Sequence, residues 1–231
     1  MKFKKKLLQG ALIKRYKRFF VDIKYQNITT TAHCPNSGSM MGLLNKGNSV
    51  WFSKSDNPKR KLKYTLEIVE VNKTLVGINT QLTNKIVLEA LHKKRIKNLV
   101  KFYNIKTEVK FSDKTRFDFL ISNNKEKCFL EVKNVTLVRN DKIAEFPDAV
   151  TSRGKKHLKE LITAKKKGYD SYILYLIQRE DCKSFKIAKD IDQEYKITFG
   201  EAIKNGVKML CYDCKLSNEE IRLNNQINYE Q

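Results

Sequence analysis

The chain has 231 residues and carries 47 Lys and Arg against 25 Asp and Glu, a formal charge of +22. Its apolar share of 41%, with 12 Phe and 10 Tyr, is too high for an intrinsically disordered chain. Its longest clean apolar run, Tyr172 to Ile177, is far short of the roughly 18 residues a membrane-spanning helix needs. A charge this far from zero points to a polyanionic partner, nucleic acid before an anionic membrane surface. An AT-rich genome would also enrich Lys and Asn, so composition alone leaves both readings open. The five cysteines, Cys34, Cys128, Cys182, Cys211 and Cys214, are odd in number and scattered, which argues against a disulfide framework. Met1 to Lys6 is basic, but Gln9, Gly10, Lys14 and Arg15 interrupt any apolar stretch behind it. The expectation is therefore no signal peptide, no membrane anchor and a cytoplasmic location with reduced thiols.

The charge is uneven. Residues 1–85 hold 17 basic and 4 acidic side chains, net +13, while residues 86–231 hold 30 and 21, net +9. The N-terminal part reads as β-structure. Gly10–Ile23 mixes aromatic, β-branched and basic residues as a half-exposed strand does. Cys34 to Ser39 has turn chemistry. Ser49–Ser53 and Leu62–Val71 are further strands, separated by the Asn57-Pro58 break. Short strands with polar turns over about 80 residues suit a small barrel of the OB type.

The remainder alternates. Leu82–Ile96 carries a helical stripe of Leu82, Ile86, Val87, Ala90 and Leu91. Three strands follow at Ile105–Lys110, Thr115–Ile121 and Cys128–Leu137. Thr151–Lys167 is a helix that Thr151 or Asp148 could cap, stopped by Gly168. Ser171–Ile177 is a buried strand, Ile191–Lys204 a helix and Val207–Tyr212 a strand. The Asn- and Glu-rich tail after Ser217 is expected to be weakly ordered. The order αβββαβ, then αβ, describes an α/β fold with a mixed sheet flanked by helices.

The sharpest chemical feature is Asp118 followed by Glu131-Val132-Lys133. With a hairpin tip at Asn124–Lys125, Asp118 lies opposite Glu131, and Lys133 shares the Glu131 face. Two carboxylates facing across strands repel, and a divalent cation between them reverses the sign. Hard ions such as Mg²⁺ or Mn²⁺ suit such oxygens. Lys133 could then orient water or stabilise developing charge, a layout fit for metal-assisted phosphodiester hydrolysis. Glu89, in the apolar stretch Ile86 to Leu91, is a candidate third metal ligand, because a carboxylate there is costly unless paired. The plainer reading of Asp118, Glu131 and Lys133 is a solvated strand face with a salt bridge.

Two basic regions suit phosphates. Arg153, Lys156 and His157 share one face at a helix start. In the N-terminal part, Arg15, Lys17 and Arg18 interleave with Tyr16, Phe19 and Phe20, and Lys59-Arg60-Lys61 lies near Trp51 and Phe52. Cationic grooves with stacking aromatics hold nucleic acid on OB-type modules. Here too the plainer reading stands beside it, with aromatics as core and charges as solubilising groups. Cys211-x-x-Cys214 has no second matching pair and is weak evidence for zinc.

Several of these stretches resemble one family. His33-Cys34-Pro35-Asn36-Ser37-Gly38-Ser39-Met40, Arg15 to Phe19, Asn57 to Lys61, Asn84 with Glu89 to Leu91, Glu131 to Leu137 and Phe146 to Leu161 are similar, in order, to the sugar fermentation stimulation protein A family. The resemblance covers about Phe3 to Leu216. It implies an OB-like DNA-binding barrel over residues 1–82. It implies a domain like the PD-(D/E)xK nucleases over residues 83–231. It also implies DNA binding without strong sequence preference, and for some members a regulatory role in sugar (maltose) metabolism. Its acidic set falls on Glu89, Asp118, Glu131 and Lys133. Ser37, Phe117 and Asn134 depart from the usual Thr, smaller aliphatic and Ser. The expected partner is DNA, with RNA left open, and the expected cofactor is Mg²⁺ or Mn²⁺ with no organic group. A basic adaptor for acidic proteins or membranes is the rival reading.

Overall fold

The structure, a computed structural model, describes every residue except Lys114, Asp141 and Gln231. Six strands build the N-terminal part: β1 (Leu8–Tyr16), β2 (Phe20–Tyr25), β3 (Ile28–His33), β4 (Ser49–Lys54), β5 (Tyr64–Val71) and β6 (Thr74–Gly77). They pair in the order β3-β2-β1-β4-β5-β6, and β3 closes onto β5 through Ala32↔Tyr64 and His33↔Thr65. The result is a closed five-strand barrel with β6 as an outer strand. Its interior is filled by Leu12, Val21, Ile23, Ala32, Val50, Phe52, Leu66 and Val69. Gly10–Ile23 is two strands rather than one, because Lys17 (φ 44°) and Arg18 (φ 64°) turn left-handed between Tyr16 and its partner Phe20. The basic and aromatic alternation runs through this turn, and no Gly marks it. Two tighter turns, Gln26-Asn27 and Asn72-Lys73, use the same left-handed geometry.

The second part continues with α1 (Thr83–His92), β7 (Asn104–Ser112), β8 (Thr115–Ser122), β9 (Lys127–Val135), β10 (Leu137–Val138) and β11 (Ile143–Phe146). After these come α2 (Ser152–Lys166), β12 (Asp170–Ile177), β13 (Ser184–Ile187) and α3 (Gln193–Lys204). The described chain closes with β14 (Lys208–Leu216), β15 (Ile221–Gln226) and β16 (Asn228–Tyr229). The main sheet has the order β15-β14-β12-β9-β8-β7, parallel at its centre and antiparallel at both edges. β12 is buried on both faces. Tyr172, Leu174 and Leu176 pack with Ile86 and Val87 of α1. Ile173, Tyr175 and Ile177 pack with Leu158 and Leu161 of α2 and Phe199 of α3. This continuous apolar run is what a central parallel strand requires. A small sheet, β10-β11-β13-β16, lies beside it.

The tail after Ser217 is structured, contrary to its composition. β15 pairs with β14, and Ile221 and Leu223 are buried. The alternating apolar pair Ile221/Leu223 supplies the burial that the surrounding Asn and Glu residues conceal. All five cysteines are buried and unpaired. Among the described residues no helix is long and apolar enough to cross a membrane.

The two parts meet at Gln178. The Gly77 N–H donates to the Gln178 carbonyl at 2.8 Å. The Gln178 side chain donates to Asn134 Oδ1 at 2.5 Å and Thr83 Oγ1 at 3.2 Å. The Cys34–Met40 loop adds a second seam. Its Ser39 hydroxyl donates to the Asp148 carbonyl at 3.0 Å, and the Thr80 hydroxyl donates to the Pro35 carbonyl at 2.8 Å. Backbone and side chain approach so closely at Gly77 that a Cβ there would lie 2.5 Å from Gln178 Oε1.

Gly77→Ala is therefore expected to destabilise the chain by about 1–3 kcal/mol through overpacking. Gly200→Ala, on α3 with nothing within 4 Å of the added carbon, is expected to be neutral or stabilising by up to about 1 kcal/mol. Urea unfolding of the two variants checks the contrast. Equal effects would contradict it.

Candidate active site

The site begins at the β8–β9 hairpin. Asn123 Oδ1 accepts from the Lys125 N–H at 2.9 Å and the Glu126 N–H at 2.8 Å, which fixes the turn. The strands then pair from Ser122↔Lys127 to Phe119↔Leu130. One further step in this register places Asp118 opposite Glu131, as the hairpin spacing predicts. There the strand pairing ends, and the Val132 N–H donates to Asp118 Oδ2 at 2.7 Å. Asn84 of α1 donates from its side chain to Asp118 Oδ1 at 2.7 Å. Burial, followed by the nearby Glu131 charge, raises the Asp118 carboxyl to about 7, against the weaker pull of these hydrogen bonds and of Lys133.

Glu131 is 2% exposed. Its Oε1 receives Lys133 Nζ at 2.7 Å and contacts His157 Nδ1 of α2, while Lys133 Nζ lies 3.2 Å from the same His157 nitrogen. Glu131 Oε2 is buried and has no hydrogen-bond partner among the described residues. Burial pushes the Glu131 carboxyl up, but Lys133 and His157 outweigh it and hold the group below the usual range. α2 delivers His157 inward because its apolar stripe, Leu158 and Leu161, faces the sheet. Its start is capped by Thr151 Oγ1, which accepts from the Gly154 N–H at 3.0 Å.

Asp118, Glu131 and Lys133 line one cleft of about 610 Å³, together with Asn84, Lys85 and Arg153. Glu89 is not among them, and the expectation that it joins this pair is corrected. It binds the Met1 amine at 2.9 Å and Lys93 at 2.8 Å instead. Lys85, one turn before Glu89 on the same face, lines the cleft, whereas Glu89 lies in the last turn of α1 and is held there by the Met1 amine and Lys93. The acidic residue that does reach the cleft rim is Glu108 on β7. It is flanked by the pairs Thr107↔Phe119 and Val109↔Phe117, so it stands level with Asp118, with a left-handed φ of 52°. Asn84 stands in one of the stretches that resemble the family, whereas Glu108 carries no sequence signal beyond its position in an element. Among the described residues, no three His, Cys, Asp or Glu side chains converge closely enough to hold a metal.

The basic residues divide. Arg153 is exposed and lines the cleft, while Lys156 is half-buried on α2. His157 is buried against Glu131, so its expected place on a phosphate-facing surface is corrected to the carboxylate cluster. Arg15 is corrected too. Its guanidinium donates to the carbonyls of Arg18 at 2.8 Å, Asn36 at 2.7 Å and Gly38 at 3.1 Å, which knits the Cys34–Met40 loop to the barrel. Lys17 and Arg18 are exposed at the β1–β2 turn, next to Phe19, which is 43% exposed. Lys59 and Lys61 are exposed, whereas Arg60 donates to Thr65 Oγ1 at 2.8 Å.

Comparison with known proteins gives a consistent result along the chain. Residues 13–78 match the family model of the SfsA N-terminal OB domain, and residues 81–220 match that of the Sugar fermentation stimulation protein RE domain. A Sugar fermentation stimulation protein homolog of Pelagibacter ubique is 57% identical over 227 residues, covering 98% of this chain and 98% of the relative. One from Paramagnetospirillum magneticum is 45% identical over 225 residues, covering 96% and 95%. The solved structure of Pyrococcus furiosus SfsA in complex with Ca²⁺ matches with a TM-score of 0.90 at 24% identity, covering 100% of this chain and 98% of that one. At that identity the likeness speaks to the fold.

The raised Asp118 group has a defined pH signature. The folded chain keeps this proton where the unfolded chain has lost it. The resulting stabilisation is complete below the ordinary Asp range and is lost as the pH rises toward about 7. In metal-free protein, the stability of Asp118→Asn relative to the parent should therefore improve as pH rises through this window, on top of a constant loss from one missing acceptor. Denaturant unfolding at several pH values measures it. A parallel pH dependence of the two proteins would refute the shift.

Proposed function

The chain belongs to the sugar fermentation stimulation protein family, and from that premise we propose that it binds DNA and carries a metal-dependent phosphodiester-hydrolysing centre at Asp118, Glu131 and Lys133. The single observation that carries the hydrolytic reading is the Glu131 carboxylate. It is held by Lys133 and His157 on one oxygen, and its other oxygen is buried without a partner. A buried, unpaired carboxylate oxygen beside a second carboxylate is costly in a purely structural role.

Mg²⁺ or Mn²⁺ fits these donors. Mg²⁺ is commonly held by one or two carboxylates with several waters, which matches two carboxylates and, among the described residues, no third convergent acid. Asp118 and Glu131 would hold the ion, which when bound supplies positive charge against the phosphate and a more acidic water. The Pyrococcus furiosus relative was solved with Ca²⁺, another oxygen-seeking ion. Lys133, 12% exposed at the side chain and tied to Glu131, is a fixed cation suited to charge that builds on phosphoryl oxygens. His157 orients Glu131, and Asn84 orients Asp118. Because the Asp118 carboxyl is raised to about 7, its proton competes with the ion, so ion binding strengthens as pH rises through that value.

DNA binding is supported by the net charge of +22 and by exposed Lys17, Arg18, Lys59, Lys61 and Arg153. Affinity for duplex or single-stranded DNA should fall steeply with salt, because bound phosphates release counterions. A flat salt response would end the DNA-binding reading. With Mg²⁺ or Mn²⁺, DNA cleavage should drop at least about a hundredfold in Asp118→Ala and in Glu131→Ala. Cleavage that persists in both variants would assign the activity to another centre.

A further inference from the structure

A second groove, of about 780 Å³, runs beside the acidic cleft between the β7–β8 hairpin and the start of α2. Lys110, Arg116, Arg153 and Lys156 line it, with Ser152 and His157. Arg153 lines both the groove and the cleft, so the two lie side by side. We infer that this groove takes the sugar–phosphate backbone of the nucleic acid that flanks the reacting phosphate, with Arg116 and Arg153 as its principal contacts. The inference rests on the nucleic-acid reading above and assigns that site its substrate path.

Arg116 and Arg153 are both exposed, and neither makes a hydrogen bond or ion pair among the described residues. Arg15 is committed to loop carbonyls, Arg139 to Glu145 and Asp190, and Arg179 to Asp181, while Arg18 and Arg95, which also lack a side-chain partner among the described residues, do not line this groove. Two uncommitted planar forks on one groove match phosphate geometry. Lys110 pairs with Asp113 at 2.7 Å, but with side chains 65% and 93% exposed that pair is weak and yields to a phosphate. The groove walls are fixed to each other, because Ser112 and Thr115 each donate a hydroxyl hydrogen bond to Glu160 of α2 at 3.2 Å. The geometry is thus held before any ligand arrives, which reduces the ordering cost of binding. The start of the 15-residue α2 adds partial positive charge at the same place. Among the described residues no apolar side chain lines the groove, so a protein partner finds no anchor there.

The test uses the full chain without added metal. Fluorescence anisotropy with labelled single-stranded and duplex oligonucleotides, over a salt series, compares the parent with Lys110→Gln/Arg116→Gln and with Lys59→Gln/Lys61→Gln in the barrel. The groove pair should weaken binding about tenfold or more at low salt and make the salt slope shallower by roughly 2. Arg116→Lys, which keeps the charge and loses the fork, should be intermediate. Unchanged affinity and slope in the groove pair, with loss only in the barrel pair, would overturn the groove and leave DNA binding intact. Displacement of DNA by poly-glutamate at matched charge would overturn it in favour of an acidic protein partner. If the parent itself shows no salt-dependent binding, the nucleic-acid reading fails and the groove with it.

Discussion

The second half of the molecule is organised around one constraint, a carboxylate kept charged inside the protein. Glu131 is 2% exposed, and an isolated charge there would be prohibitively costly. Lys133 on the same strand and His157 from α2 meet its Oε1 and compensate the burial. That compensation is directional, so it also fixes how α2 sits on the sheet. β9 therefore serves two purposes with one alternation. Leu130 and Val132 pack toward α1, while Glu131 and Lys133 face α2. Asp118 is treated differently. Its hydrogen-bond partners are neutral donors, the Val132 N–H and the Asn84 amide, so its charge is compensated less than that of Glu131 and its proton is held longer. Two carboxylates on facing strands are thus given opposite tendencies by their surroundings.

The barrel is attached to this centre by apolar and polar contacts together: Ile68, Trp51 and Leu75 pack into the core on the α1 side, and short hydrogen bonds flank them. Gln178 ties β6 to α1 and β9, and the Cys34–Met40 loop reaches Asp148 just ahead of α2. Arg15 holds that loop from the barrel side. The basic residues of the barrel and those at the start of α2 are consequently linked by a chain of fixed hydrogen bonds.

Much of this was legible in the sequence, for physical reasons. The barrel, α1, the three-strand run and α2 announce themselves through periodicity and turn residues. The Asp118–Glu131 register follows because the Asn123–Glu126 turn allows one natural tip. What escaped was phase and composition. Glu89 and Asn84 lie on one helix, and its placement on the sheet, with the Met1 amine and Lys93 beside Glu89, decides which meets the cleft. His157 lies beside Lys156 in a basic run, yet it belongs to the Leu158–Leu161 side of α2. Arg15 looks like a phosphate ligand by composition, and only the loop's return shows its carbonyl partners. The tail hid a strand because Ile221 and Leu223 are two apolar residues in a polar stretch. The short strands β10, β11, β13 and β16 have too few residues to show a period.

The five buried thiols carry a practical consequence. Burial pushes Cys34, Cys128, Cys182, Cys211 and Cys214 toward the unreactive protonated form, so the intact fold shields all of them from alkylating reagents. Cys34 belongs to the barrel interior, whereas Cys128 and Cys214 lie in the core on the α1 side and Cys182 and Cys211 in the core on the α2 side. Each core therefore contains its own chemical clock. The order in which the sulfurs become modifiable traces which layer opens first, with no foreign label introduced.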